Sequence, residues 1–158
     1  MNIEIRNAAE HDVPSIVGLM RDFAKYEKLA DYCEITEVRL AAAMFGDEGF
    51  VEGMVALEGL EPVGYALFYP SFASFRGERG FYLEDIYVDG RHRGSGVGQR
   101  MLRRIAQTAK FRGFERIDFQ VLDWNTTAID FYKKLGAICN PDESHFKFSD
   151  EAFALLAA

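Results

Sequence analysis

A single α+β or mixed α/β domain, built on a mixed and mostly antiparallel sheet flanked by helices, is the fold that the sequence predicts. Three observations carry it. Apolar residues recur at helical spacing in several segments, and short alternating or aromatic runs lie between them. The resulting order, βααβββαβαβ, requires both antiparallel and parallel pairing around one sheet. With 158 residues, 49% of them apolar, and no linker, repeat or low-complexity tract, residues 1–158 read as one domain around one core.

Each element has a local reason. Ile3 to Arg6 alternates apolar and polar, as a short strand does, and Asp12 with Pro14 then starts a helix. Val13, Ile16, Val17, Met20, Phe23 and Ala24 share one face of that helix, which should run to Lys28 with Tyr26 and Glu27 in its last turn. Thr36 can cap a second helix that carries Leu40 and Met44 and stops at Gly46. Phe50–Glu58 and Val63–Tyr69 read as a hairpin turned by Gly59-Leu60-Glu61-Pro62. The aromatic and β-branched run Phe81–Val88 reads as a central strand, interrupted by two adjacent acids, Glu84 and Asp85. After a glycine-rich turn, Val97–Phe111 forms a helix that buries Val97, Met101, Leu102, Ile105 and Ala109. A strand at Arg116–Val121 and a helix at Thr126–Leu135 capped by Gly136 follow, then a strand at Phe146–Phe148 and a short helix at Asp150–Leu156.

Composition narrows the function. A formal charge of −7 argues against nucleic acid as a partner, because such proteins carry a basic excess to displace counterions from phosphates. Seven of the 18 basic residues fall between Arg91 and Arg112, a stretch without Asp or Glu, while the remaining 11 face all 25 acids. That asymmetry suits an anionic cofactor and a cationic substrate, although a solvated helix face would look the same. Cys33 and Cys139 form no Cys-x-x-Cys and have no His at ligand spacing, so neither a disulfide framework nor a metal site is expected. No apolar run approaches the roughly 18 residues of a membrane span, and the first six residues lack a signal-peptide pattern. No membrane partner is therefore expected, and the expected address is cytoplasmic.

The most informative segment is Arg93-Gly94-Ser95-Gly96-Val97-Gly98, between a strand and a helix. Glycines allow backbone N–H groups to face a ligand, and a helix N-terminus adds positive potential, so the loop can cradle a pyrophosphate. It lacks the Lys-Ser/Thr ending of a nucleoside-triphosphate loop, and Gly-x-Gly-x-Gly differs from the Gly-x-Gly-x-x-Gly of a dinucleotide fold, which disfavours a dinucleotide reading with Glu115 at the ribose. A glycine-rich turn that binds nothing is the competing assignment. Glu84 could attract a cation or simply be a solvated or salt-bridged acid. Tyr132 fits a helical core face with Ile129 and Leu135, so packing alone could account for it. Of the three histidines only His92 neighbours the loop closely enough to touch phosphate, and Trp124 reads as packing.

Arg93-x-x-Gly96-x-Gly98 resembles the (Arg/Gln)-x-x-Gly-x-(Gly/Ala) acetyl-CoA loop of the GNAT N-acetyltransferases. The diamine, spermidine/spermine and thialysine acetyltransferases resemble this chain more closely. Ala24-Lys25-Tyr26-Glu27, Tyr82-Leu83-Glu84-Asp85, Trp124-Asn125, Phe131-Tyr132-Lys133 and Gly136-Ala137 recur in their order, over nearly the whole chain. The resemblance implies one GNAT domain, acetyl-CoA as co-substrate, no metal, a small primary amine as acceptor and a homodimer. By position it implies that Ile86, Tyr87 and Val88 hold the pantetheine arm and thioester through their backbone. It gives Arg93, Gly94, Ser95, Gly96, Val97, Gly98 and Gln99 the pyrophosphate, and Asn125 a contact with the cofactor across a split between neighbouring strands. It implies Glu84 as the group that attracts the amine and takes its proton, Tyr132 as donor to the departing thiolate, and Tyr26 and Glu27 as lining of the amine pocket. Thr126-Thr127 replace the Glu-Pro that often follows the Asn, and the loop Cys139–Glu143 is shorter than in the polyamine enzymes, which bears on the pocket.

The acidic balance leans toward a diamine or polyamine, with thialysine the near alternative. An acetyl-CoA-binding regulatory or interaction module, or acetylation of another amine such as an aminoglycoside or a peptide N-terminus, are the rival functions. The amine, the nitrogen acetylated and the pathway are not legible at this level, nor is whether Asp142 or Glu143 reaches the pocket.

Overall fold

The computed structural model describes residues 2–158, which divide into two compact units, one ending at Gln120 and one comprising Val121–Ala158. The first holds a five-stranded sheet of strands β1 (Ile3–Asn7), β2 (Glu52–Glu58), β3 (Glu61–Ala73), β4 (Glu78–Val88) and β5 (Arg116–Asp118), in that spatial order. Neighbours pair antiparallel except β4 with β5, which are parallel. Helix α3 (Val97–Phe111) makes that parallel crossover. Helices α1 (Val13–Tyr26) and α2 (Glu37–Phe45) lie between β1 and β2 in the chain. No helix among the described residues is long and apolar enough to cross a membrane.

Alternation along the strands builds two cores, one on each face of the sheet. Met54, Ala56, Ala66, Phe68, Phe81 and Leu83 meet Val97, Met101, Ile105 and Ala109 of α3. Val55, Leu57, Tyr65 and Leu67 meet Val13, Ile16, Val17 and Leu19 of α1 and Leu40 of α2. Each large side chain removed from water contributes roughly 1.5–3 kcal/mol, so the two layers account for most of the driving force. Entry to α1 is fixed by Asp12, which is 4% exposed. It accepts two hydrogen bonds from the Arg6 guanidinium (2.7 and 3.0 Å) and one from the Ala9 amide (2.7 Å). The Arg6 hydrogen bond does most to hold the Asp12 carboxyl below the usual carboxylate range.

The helices match their expected spans closely. Thr36 Oγ1 accepts from the Arg39 amide (3.2 Å) and caps α2, and α3 spans Val97–Phe111 as its periodicity predicts. α1 ends at Tyr26 instead of running to Lys28, because Lys28 takes φ +61° and leaves the helical region. The hairpin turn is two residues, Gly59-Leu60, with Glu58 opposite Glu61. Gly59 at φ +63° satisfies the turn, and Pro62 joins the strand. β5 stops at Asp118, three residues before its expected end.

In the second unit, α4 (Thr126–Lys134) is capped by Asn125 Oδ1, which accepts from the Ala128 amide (3.3 Å), and Gly136 follows at φ +97°. α5 (Asp150–Leu156) spans its predicted range. The expected strand at Phe146–Phe148 does not form. Both phenylalanines are exposed, and among the described residues no strand pairs there, so three residues without a ladder have no reason to stay extended in a sheet.

Candidate active site

One irregularity in β4 organises the site. Leu67 of β3 lies opposite Asp85 and Phe68 opposite Leu83, so Glu84 is the extra residue of a β-bulge. Phe81 and Leu83 face α3, and after the bulge Ile86 and Val88 pack on that same side, while Asp85 and Tyr87 turn toward Tyr65 and α1. Glu84 is left exposed, 3.4 Å from the Tyr69 hydroxyl that donates to it. On its other side β4 pairs with β5 only at Gly80–Tyr82. Among the described residues no strand is bonded to that edge over Leu83–Val88, which includes Ile86–Val88, the residues expected to carry pantetheine.

Asp85 is the residue whose role the sequence reading left open. The hydroxyl of fully buried Tyr65 donates to Asp85 Oδ2 at 3.0 Å. Burial nonetheless pushes the Asp85 carboxyl up to about 6. The charges of Glu84 and Glu27 add to this, and the Tyr65 hydrogen bond opposes it. Glu27, the half-buried residue that follows the last residue of α1, is itself raised by desolvation. Asp85 thus feels the charges of both Glu84 and Glu27, a repulsion that costs stability when the acids are ionised and that a bound cation would relieve. The two acids adjacent in an aromatic strand were the signal for Asp85. That one would be drawn inward by a bulge was not readable from them.

The glycine loop begins where β4 ends. The Asp89 amide donates to the Val63 carbonyl (2.8 Å), and Asp89 Oδ1 accepts from the Arg91 amide (2.7 Å), starting a 3-10 turn over Gly90–His92. Arg91 holds that carboxyl at about 2. Gly94 (φ +76°) and Gly96 (φ +83°) occupy the left-handed region, and a Cβ on either would meet nothing within 4 Å, so the loop presents bare backbone to open space. No side chain caps the N-terminus of α3, where Val97 turns its side chain into the core and Gly98 and Gln99 follow. These are the features of an anion cradle. At Gly98 a Cβ would make only ordinary contact with Val88 Cγ2 at 3.8 Å, so an alanine fits there.

His92 does not serve phosphate. Its ring is buried, with Nε2 2.8 Å from Glu58 Oε2, and the Ser95 hydroxyl donates to its backbone carbonyl, so it ties the loop to the β2–β3 turn. The Glu58 hydrogen bond does most to raise the His92 pKa. The basic run also divides. Arg91 pairs with Asp89 and Glu61, Arg112 makes a two-pronged pair with Glu52 (2.6 and 2.7 Å), and Arg100 donates to the Ile3 carbonyl (2.8 Å). Part of the positive charge read as a cofactor attractant is structural.

Tyr26 ends α1 beside Glu27, with its ring toward the loop: the Arg93 guanidinium lies 4.2 Å from the ring centroid. Glycine loop and acid cluster are therefore neighbours. A cavity of about 200 Å³ lined by Met44, Met54, Phe68, Thr108 and Arg112 shares no residue with either, so it is separate from this site. In the second unit Tyr132 lies half-buried in α4 with its ring edge-on to Phe131 (5.2 Å), and α4 buries no residue fully, so the expected core face there is only partial. Trp124 is 45% exposed, and Asn125 is buried as the α4 cap.

A profile of the acetyltransferase (GNAT) family matches residues 18–137. The chain belongs to the GNAT family of acetyltransferases. It is 39% identical to the thialysine N-epsilon-acetyltransferase of Bos taurus, over 98% of this chain and 97% of that one. It is 32% identical to the human spermidine/spermine N(1)-acetyltransferase-like protein 1, over 98% of this chain and 24% of that longer protein. An integron cassette protein from the mobile metagenome of V. cholerae superposes with TM-score 0.83 at 25% identity, over 99% and 98% of the two chains. The GNAT assignment makes this an acetyltransferase, and the family's co-substrate is acetyl-CoA.

Proposed function

We propose that this protein transfers the acetyl group of acetyl-CoA directly to a primary amine of a small dicationic acceptor, a diamine, polyamine or thialysine-like amine. The transfer takes place within a ternary complex of one 1–158 domain. The observation that carries the reading is the adjacency of an anion cradle, Arg93–Gln99, to the three-carboxylate cluster of Glu27, Glu84 and Asp85. Acetyl-CoA supplies the activated acyl group. The residues suited to hold it are the backbone of Ile86–Val88 and the loop with its bare glycines, and the family resemblance adds Asn125. The cluster suits an acceptor with two ammonium groups, which polyamines and thialysine share, and the curated relatives carry both names. The homodimer and the cytoplasmic address belong to the same reading, on the resemblance and the composition.

The chain's own groups have defined tasks in this scheme. An alkylammonium with a pKa of about 10.4 must lose a proton before it attacks, at a cost of roughly 4–5 kcal/mol at pH 7. Glu84, exposed at the bulge, attracts the cation and passes its proton to solvent. Asp85, with its carboxyl near 6, is a stronger base than an ordinary aspartate. Because protonation of Asp85 removes its charge, kcat/KM should fall as the pH drops through about 6, and Asp85→Asn should move or abolish that acid limb. An unchanged limb in the variant would remove Asp85 from the chemistry.

Glu27 recognises the distal ammonium. A partly desolvated charge pair is worth about 1.5–3 kcal/mol, so Glu27→Gln should raise KM for a dicationic amine roughly 10- to 100-fold and for a monoamine much less. Equal losses for the two would sink distal-cation recognition. The overall reading is tested by coupled detection of coenzyme A release from the purified protein with polyamines, thialysine, lysine, aminoglycosides and peptide N-termini. Turnover confined to dicationic small amines is expected. Turnover of aminoglycosides or peptides alone, or no turnover of any amine, overturns it, the last in favour of a binding module.

A further inference from the structure

Arg93 is held from three directions. Its Nε donates to the Val88 carbonyl at 2.9 Å, and its guanidinium carbon lies 4.2 Å from the Tyr26 ring centroid and 5.2 Å from that of Tyr87. The Tyr87 ring is fixed by packing. Tyr87 stacks on Phe23 (5.2 Å, 25° between planes) and tilts against buried Tyr65 (6.3 Å), so its plane is set by the α1-side core. Tyr26 is the last residue of α1. A guanidinium carries five N–H donors, so one held over two rings and on one backbone carbonyl retains others for a ligand, and a long side chain fixed this way loses less freedom when it meets an anion.

We propose that Tyr26 and Tyr87 form a two-ring seat that positions Arg93 for a cofactor phosphate, which makes Tyr26 a positioning residue of the cofactor site. This assigns Tyr26 a task different from lining the amine pocket, where the family resemblance put it. The inference rests on the glycine loop holding the acetyl-CoA pyrophosphate. Through the seat, the helix end that carries Glu27 and the loop that carries the phosphate share one contact.

Calorimetric titration of acetyl-CoA into the full chain tests it. Tyr26→Phe keeps the ring face and should bind within twofold of the parent. Tyr26→Leu should raise Kd about three- to tenfold, with an unchanged thermal midpoint because Tyr26 is 37% exposed. In an Arg93→Ala background the same Leu substitution should add nothing, which a purely structural role for Tyr26 would not produce. The seat is overturned if Tyr26→Leu leaves Kd unchanged, or if it costs as much without Arg93 as with it. Gly96→Val and Arg93→Ala separate the two levels: if both bind normally, the cradle reading falls and takes the seat with it. If both weaken while Tyr26→Leu does not, only the seat falls.

Discussion

Gly96→Val is expected to raise the Kd for acetyl-CoA by about 100-fold in a protein that still folds. The residue adopts φ +83°, where a β-branched side chain is strongly disfavoured, so the loop must change conformation or carry strain. The new side chain would also stand in the open space through which a pyrophosphate approaches the amides of α3, and charge-assisted hydrogen bonds are worth about 1.5–3 kcal/mol each. Gly98→Ala is the matched control. Its Cβ would meet Val88 at an ordinary 3.8 Å, and its affinity should be nearly that of the parent. Calorimetry on the two variants decides: a folded Gly96→Val protein with parental affinity removes the pyrophosphate from this loop.

Tyr132→Phe should lower kcat about 10- to 100-fold while acetyl-CoA affinity stays within twofold. A phenol near pKa 10 facing a thiolate near 8.5 makes complete proton transfer about 2 kcal/mol uphill, so the proposed role is a hydrogen bond that strengthens as sulfur leaves. Such a bond is absent from the ground state, which is why the loss should appear in kcat and not in binding. The ring contact with Phe131 survives the substitution, so packing within α4 is not the variable. A variant with parental kcat would return Tyr132 to packing alone.

How far the sequence could be read depended on the kind of signal. The helices were legible because Val97, Met101, Ile105 and Ala109, or Val13, Ile16 and Val17, repeat a 3.6-residue period that only one structure satisfies. The loop was legible because Gly96 and Gly94 need conformations that few other residues adopt. The tail was not. Phe146 and Phe148 flank Lys147 in an alternating pattern, but three residues of alternation say nothing about whether a ladder partner exists. The inward turn of Asp85 was hidden for a different reason, since it follows from a pairing offset between β3 and β4 that no local pattern records. Arg93 looked like a phosphate ligand from the sequence, but its aromatic neighbours lie 67 and 6 positions away and only the fold brings Tyr26 to it.

The extra residue at Glu84 also works as a parity switch. A regular strand stores one binary choice, which face its odd-numbered positions take, and every residue downstream inherits it. In β4 that choice is reversed once, between Leu83 and Asp85. Removing Glu84 itself would make Leu83 and Asp85 consecutive on opposite faces, so Asp85, Ile86, Tyr87 and Val88 would keep the layers they now occupy. Straightening the strand with Glu84 retained would instead turn Asp85 from its tyrosine partner toward the α3 layer and take Ile86 and Val88 out of that layer. The strand can therefore lose its extra residue without disturbing either hydrophobic layer, but it cannot lose the irregularity while keeping the residue.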